Sequence, residues 1–279
     1  MHPGAWILWA GCAGMVTFTT TNPVYLAVII AASWLVYAAQ HQPKRAGTFK
    51  LFVLAAVFTL CLRVGLVFLL NPVSDLMRAI FGGLFTIPEQ VVNVNVLVAA
   101  IYQGLRLGTL LIVFGTFNAV TDPYGVLRLA PRHFYEPALA ASLALSIAPR
   151  TIDAVGRVRE AQLLRGIHPR GTKAVASLVI PVLETGMEDA VTLAESMDAR
   201  GHGRGRRTKY RPQAWALVST IAGVAAAVAM LGYLAAAFRF HAPSLEPVVD
   251  PLTFPPVNAA LVVLAALLAV PAFLPRPAA

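Results

Sequence analysis

Two short stretches hold most of the residues whose types and spacing could do chemistry. In "LAESMDARGHGRGRR", residues 193–207, an acidic run ends at Ala199-Arg200-Gly201 and then turns basic. In "REAQLLRGIHPRG", residues 159–171, the same outline returns at Arg165-Gly166, with Glu160 five residues before Arg165 as Glu195 is five before Arg200. For acid–base catalysis the candidates are Asp153, Glu160, Glu184, Glu188 and Asp189, with the imidazoles of His168 and His202. An intramembrane enzyme with a cytosolic catalytic loop is the alternative these residues raise. They form no HExxH metal motif, no paired Asp-rich motif and no nucleophile elbow, and both histidines sit in Gly/Pro-rich turns without ligand spacing. There is no Gly-rich loop ending in Lys-Ser/Thr, so the chain is not expected to bind ATP. "GHGRG" follows no strand and reads as a linker. No metal, cofactor or catalytic residue is expected. Arginine supports different chemistry: a rigidly held guanidinium can enter a partner's groove and grip a carboxylate through two parallel hydrogen bonds.

Helices must position those arginines. Across residues 183–197 the apolar or small positions are Leu183, Gly186, Met187, Ala190, Leu193, Ala194 and Met197, a stripe at helical spacing. Glu184, Glu188, Asp189, Glu195 and Asp198 fall on the other face, and the first base after them is Arg200. A cation in the last turn suits the helix dipole, and Gly201 is placed for the left-handed residue that ends a helix. Upstream, Ile152, Val155, Val158 and Leu164 recur about every three residues, Asp153 and Arg157 are spaced for an ion pair, and Arg165-Gly166 ends the run. "PALAASLALSIAP" precedes it, so residues 137–165 read as one long helix bent near Pro149, about 40 Å from end to end. Each helix thus offers an arginine at its C-terminal tip, held by a glycine stop.

The rest of the chain is oily. Of 279 residues 58% are hydrophobic and only 13% charged, with a mean hydropathy of +0.70. A soluble domain has roughly twice that charge, so lipid is the solvent this composition suits. The apolar runs predict about six membrane spans: residues 5–20 and 24–39 as a hairpin turned at "TTTNP", 51–70, a fourth within 91–120 beginning near Leu105, 215–238, and 257–274. Residues 71–90, with "NP", "GG" and "IPE" breakers, read as an extracellular connection. The expected architecture is an all-α integral membrane protein: spans 1–4 in residues 1–120, a cytosolic insertion of two or three amphipathic helices in 121–211, and spans 5–6 in 212–279.

Charge sets the orientation. The formal net charge is +9, and fourteen of the 22 Lys and Arg fall between Asp122 and Arg211. Together with Lys44, Arg45 and Lys50 they place that insertion and both termini in the cytosol, and the Glu246/Asp250 loop outside. No aromatics interleave with the basic run, which argues against nucleic acid. Cys12 and Cys61 lie in apolar runs and make neither a disulfide framework nor a CxxC site. The N-terminal apolar run lacks the basic flank of a signal peptide and reads as the first span. Arg63 falls deep in the third span and Arg106 at the start of the fourth. A charge in hydrocarbon costs at least ~2.5–3.5 kcal/mol, so Arg63 is expected to pair inside the bundle and Arg106 to snorkel to the interface. A direct contact with another subunit is the other reading of both.

On "DARGHG", "LLRGIH", "LRLGTLLIVFGTFNAVTDPYGVLRL", "APRTIDAVGRVREAQLLRG" and "IPVLETGMEDAVTLAESMDARG", the chain resembles the transmembrane coupling subunit, or T component, of energy-coupling factor transporters, the family that includes the cobalt-transporter membrane subunit. The resemblance covers roughly residues 6–234 and is most specific over 106–203. In that family two coupling helices each end in an Ala-Arg-Gly-type motif; here the first has Leu164 in place of alanine. The resemblance implies a non-catalytic, multi-pass subunit of a prokaryotic cell membrane. It also implies that two cytosolic ATP-binding subunits dock on Arg165-Gly166 and Ala199-Arg200-Gly201, and that a separate membrane subunit captures a vitamin or transition-metal ion and packs on the coupling helices.

Overall fold

The computed structural model describes residues 1–20, 22–40, 46–81, 94–166, 172–202, 215–238 and 257–274. Lys44, Arg45, His168, the basic residues 204–211, Glu246, Asp250 and Arg276 lie outside them. Among the described residues every regular element is helical, and the chain is an all-α membrane protein. It divides into two units, Met1–Val126 with Ala214–Ala279, and Leu127–Gln213.

The first unit holds α1 (Pro3–Thr19), α2 (Pro23–Gln40), α3 (Ala46–Phe81), α4 (Val94–Val120), the short α5 (Pro123–Leu127) and, after the second unit, α8 (Leu217–Phe238), α9 (Ala259–Ala266) and α10 (Val270–Phe273). Their starts are written locally. His2 Nδ1 accepts from Gly4 N–H, Asn22 Oδ1 from Val24 N–H and Asn258 Oδ1 from Ala260 N–H, and Pro3, Pro23 and Pro123 take the first helical position, where no N–H is needed.

Pro23–Gln40, Gly47–Val67, Leu97–Val120 and Leu217–Phe238 are long and apolar enough to cross a membrane. So, by length and composition, is Tyr135–Leu164 in the second unit. At 17 residues α1 spans about 25 Å, a little under the hydrocarbon thickness.

Three expectations need correction here. The third span falls where expected, within Gly47–Val67, but its helix does not break at "NP" and continues to Phe81, 36 residues in all. The fourth begins at Val94, a full three turns before Leu105. The sixth segment is not one helix but α9, a 3₁₀ turn at Leu267–Ala269 and α10. Pro271 lacks an N–H, and the tightened turn before it keeps the backbone bonded, with Val270 N–H donating to Leu267 O.

Close approach is built into the α3–α4 pair by glycine. A Cβ on Gly104 would stand 2.8 Å from Leu60 Cδ1, and one on Gly115 would stand 2.6 Å from Phe52 Cβ. Between them Gly108 faces the carbonyl oxygen of Ala56. Small residues four apart let two membrane helices meet along their backbones, where van der Waals contact supplies the attraction.

The broken last segment is fastened by side chains from elsewhere in its unit. Trp9 Nε1 donates to Leu268 O at 2.9 Å, Tyr233 Oη to Leu261 O at 2.9 Å, and Gln40 Nε2 to both Pro271 O at 3.1 Å and Leu274 O at 2.9 Å. Tyr25 Oη accepts from Asn258 N–H, and its ring meets that of Tyr233 edge-on, centroids 6.0 Å apart. Inside a bundle with no water to bond a loosened backbone, such donors replace it.

In the second unit a 3₁₀ turn, Arg132–Phe134, leads into α6 (Tyr135–Leu164), and α7 (Thr172–Ala199) follows. The 30 residues of α6 make the single long helix expected, about 45 Å, with Pro149 inside it. The stripe counted from Leu183 belongs to a longer helix of 28 residues, which contains Pro181.

Candidate functional site: two arginine-tipped helices

Both arginines sit at helix ends of one design. Arg200 is the last half-helical residue of α7, and Gly201 follows at φ +76°. Gly201 N–H donates to Asp198 O at 2.8 Å and His202 N–H to Met197 O at 3.0 Å, the two bonds of a Schellman turn. On α6, Arg165 is the C-cap, Gly166 has φ +75°, and Gly166 N–H donates to Leu163 O at 3.0 Å. A left-handed residue carrying a Cβ is strained by about 1–2 kcal/mol, which is why glycine stands at both positions.

The guanidinium groups of Arg165 and Arg200 are exposed, and neither makes a hydrogen bond or ion pair among the described residues. Glu160 and Glu195, at matching offsets, are likewise exposed and do not pair with them. Ala199 is exposed at the last helical position. Each charge is free for an incoming carboxylate, on a backbone turn fixed by two or more main-chain bonds. Arg165 lies beside the start of α7, whereas Arg200 is at its far end, roughly 35 Å along the helix from Ser177 at 1.5 Å per residue.

Between α6 and α7 runs an open groove of about 610 Å³, lined by Thr151 and Val155 on one side and by Leu178, Val179, Val182, Leu183, Gly186, Met187 and Ala190 on the other. Leu183 and Met187 are 59% and 61% exposed, so among the described residues the groove is open apolar surface. The first four stripe residues line it, whereas Leu193, Ala194 and Met197 continue along the helix beyond it. Leu178, Val179 and Val182 escaped the sequence reading, which counted the stripe only after Pro181. Their signal was the unbroken apolar run "SLVIPVL".

A smaller polar groove of about 200 Å³ carries Arg150, Asp153, Arg157, Thr185 and Asp189. The expected Asp153–Arg157 ion pair is not formed among the described residues. Asp153, Glu160, Glu184, Glu188, Asp189 and His202 are all exposed, with none held in the buried setting that tunes a general acid or base.

Both membrane arginines have partners on a neighbouring helix. Arg63 is exposed rather than enclosed, and its Nη2 donates to Gln103 Oε1 across the α3–α4 pair. Its base abuts Gly104, whose missing side chain leaves room for it. The Nη2 of Arg106 donates to Phe18 O in the last turn of α1, and its guanidinium lies 5.2 Å from the Phe18 ring centroid. A cation at a helix C-terminus and over an aromatic face is doubly favoured.

The second unit of this helical membrane protein thus presents two exposed arginine C-caps and, separately, an open apolar groove. The family described as "CbiQ: Cobalt transport protein" matches residues 1–210, and the chain belongs to it. Similar proteins are named energy-coupling factor transporter transmembrane protein EcfT. That of Bacillus subtilis is 27% identical over 136 residues, 43% of this chain and 51% of the relative. That of Macrococcus caseolyticus is 35% identical over 111 residues, 37% and 41%. That of Lactobacillus helveticus is 28% identical over 159 residues, 51% and 57%. The matched part of the chain spans roughly half the length of these relatives or less.

Proposed function

We propose that the chain is the transmembrane coupling subunit of an energy-coupling factor importer. It links two cytosolic ATP-binding subunits to a membrane subunit that captures a vitamin or a transition-metal ion. The duplicated tip carries this reading: two helices in one unit, each ending in an exposed, unpaired arginine on a left-handed glycine turn. Arg165 and Arg200 enter grooves on the two ATP-binding subunits and hold carboxylates there, with Gly166, Ala199 and Gly201 setting their aim. The apolar groove along Leu183, Gly186, Met187 and Ala190 receives the capture subunit, and Leu193, Ala194 and Met197 extend that face. Nucleotide-driven closure of the ATP-binding pair shifts the tips, and the rigid helices pass the displacement to the partner in the groove. The clustering of basic residues between Asp122 and Arg211 supports a cytosolic place for this region and for both termini, in a prokaryotic cell membrane. Arg63 and Arg106 serve the membrane unit.

Co-expression of the tagged chain with two ATP-binding subunits tests the reading, comparing recovery from detergent for wild type and the Arg165→Ala/Arg200→Ala double variant. Each alanine should weaken docking by about 2–5 kcal/mol if the carboxylate partner is buried, without loss of helix content. Equal recovery would remove the role assigned to the arginines.

A further inference from the structure

We infer that Gln162 is a positioning residue, stitching the two arginine-tipped helices together at a backbone defect made by Pro181. In a continuous α-helix the carbonyl of residue 177 accepts from the N–H of residue 181, and proline has none. The side chain of Gln162 supplies a replacement from the neighbouring helix: its Nε2 donates to Ser177 O at 3.0 Å. Gln162 is half-buried between the helices, three residues before Arg165, and its own carbonyl accepts from Arg165 N–H at 3.1 Å. One residue therefore ties the first arginine's cap to the second turn of the helix that carries the second.

Pro149 makes the same defect in α6, freeing the carbonyl of Leu145, and among the described residues no side chain takes it up. The contrast marks Gln162–Ser177 as a stitch rather than as a general response to proline. Its leverage is large. Arg200 lies roughly 35 Å along α7 from Ser177, so a swing of about 10° at the stitch moves that tip by about 6 Å. A docking arginine cannot tolerate such a displacement, because bidentate grip on a carboxylate fixes position to a fraction of that distance.

This role presupposes that Arg165 and Arg200 are the docking tips, and the test keeps the two ideas apart. In the full chain, with Cys12 and Cys61 replaced by alanine, spin labels at Leu164→Cys and Ala199→Cys report the separation of the tips by pulsed electron resonance. Both sites are exposed, Leu164 to 90%. Wild type should give one narrow distance distribution, and Gln162→Leu a broadened or shifted one. Pro181→Ala restores an N–H to bond Ser177 O, so Gln162→Leu should have little effect in that background. In unlabelled chain, Gln162→Leu should lower recovery of the ATP-binding subunits by about five- to tenfold, and Pro181→Ala should return it. Superimposable distributions for wild type and Gln162→Leu would overturn the stitch, as would an effect of Gln162→Leu that Pro181→Ala leaves untouched. Unchanged recovery with Gln162→Leu, where the double arginine variant loses it, would overturn the positioning role. If the double arginine variant docks as well as wild type, the docking reading fails instead, while the distance distributions still judge the stitch.

Discussion

Gly115 of α4 stands so close to Phe52 of α3 that a Cβ on it would lie 2.6 Å from the phenylalanine Cβ and 3.0 Å from its Cγ. Phe52 Cβ is tied to backbone and cannot swing aside, so Gly115→Ala must part the two helices. A loss of about 1–3 kcal/mol is expected, read as a lower thermal midpoint of the purified chain in detergent. Gly65→Ala on α3 is the control, since nothing lies within 4 Å of the added methyl there.

Trp9 is fully buried, and its indole N–H is spent on Leu268 O. Trp9→Phe keeps most of the ring but leaves that carbonyl without its donor, at a cost of about 1–3 kcal/mol. The damage should be local: faster hydrogen exchange or proteolysis in residues 259–274, with α3 and α4 unaffected. Uniform destabilisation of the whole bundle would contradict this division of labour.

The left-handed turns make a separate prediction about aim. Gly201→Ala leaves Arg200 in place but forces a Cβ into φ +76°, at about 1–2 kcal/mol. Helix content by circular dichroism should hold, while binding of ATP-binding subunits falls although both guanidinium groups remain. Undiminished binding would mean that the turn does not direct the arginine.

Gly186 separates the groove from the tips. Nothing lies within 4 Å of a Cβ added there, so the base of a leucine at Gly186 meets no clash, and loss of a helical glycine is worth up to about 1 kcal/mol of added stability. The new side chain occupies the groove. Recovery of the membrane capture subunit should drop severalfold, and recovery of the ATP-binding subunits should not. Parallel loss of both would mean that groove and tips form one site.

What could be read from sequence alone follows from the range of the forces. Gly166 and Gly201 were legible because helix stops are local: a cation, a glycine and a broken period suffice. The apolar spans were legible because lipid demands bulk composition. Partners across helices were not. Nothing in "LCLRVG" and "AIYQGL" tells that Arg63 meets Gln103, nor does the end of α1 announce that Phe18 receives Arg106. Proline misled in both directions. It ended none of α3, α6 and α7, yet the final segment is interrupted by a 3₁₀ turn just before Pro271.

The final segment also has a history. Trp9 and Gln40 are synthesised long before the carbonyls of Leu268, Pro271 and Leu274 that they serve. During translation the early hairpin must enter the bilayer with those donors idle, and the last stretch, too irregular to settle by itself, completes it on arrival. Completion of the membrane unit thus waits for residues 259–274, and a ribosome that stalled after residue 238 would release a bundle with its polar hooks bare, a mark by which membrane proteases could recognise unfinished product.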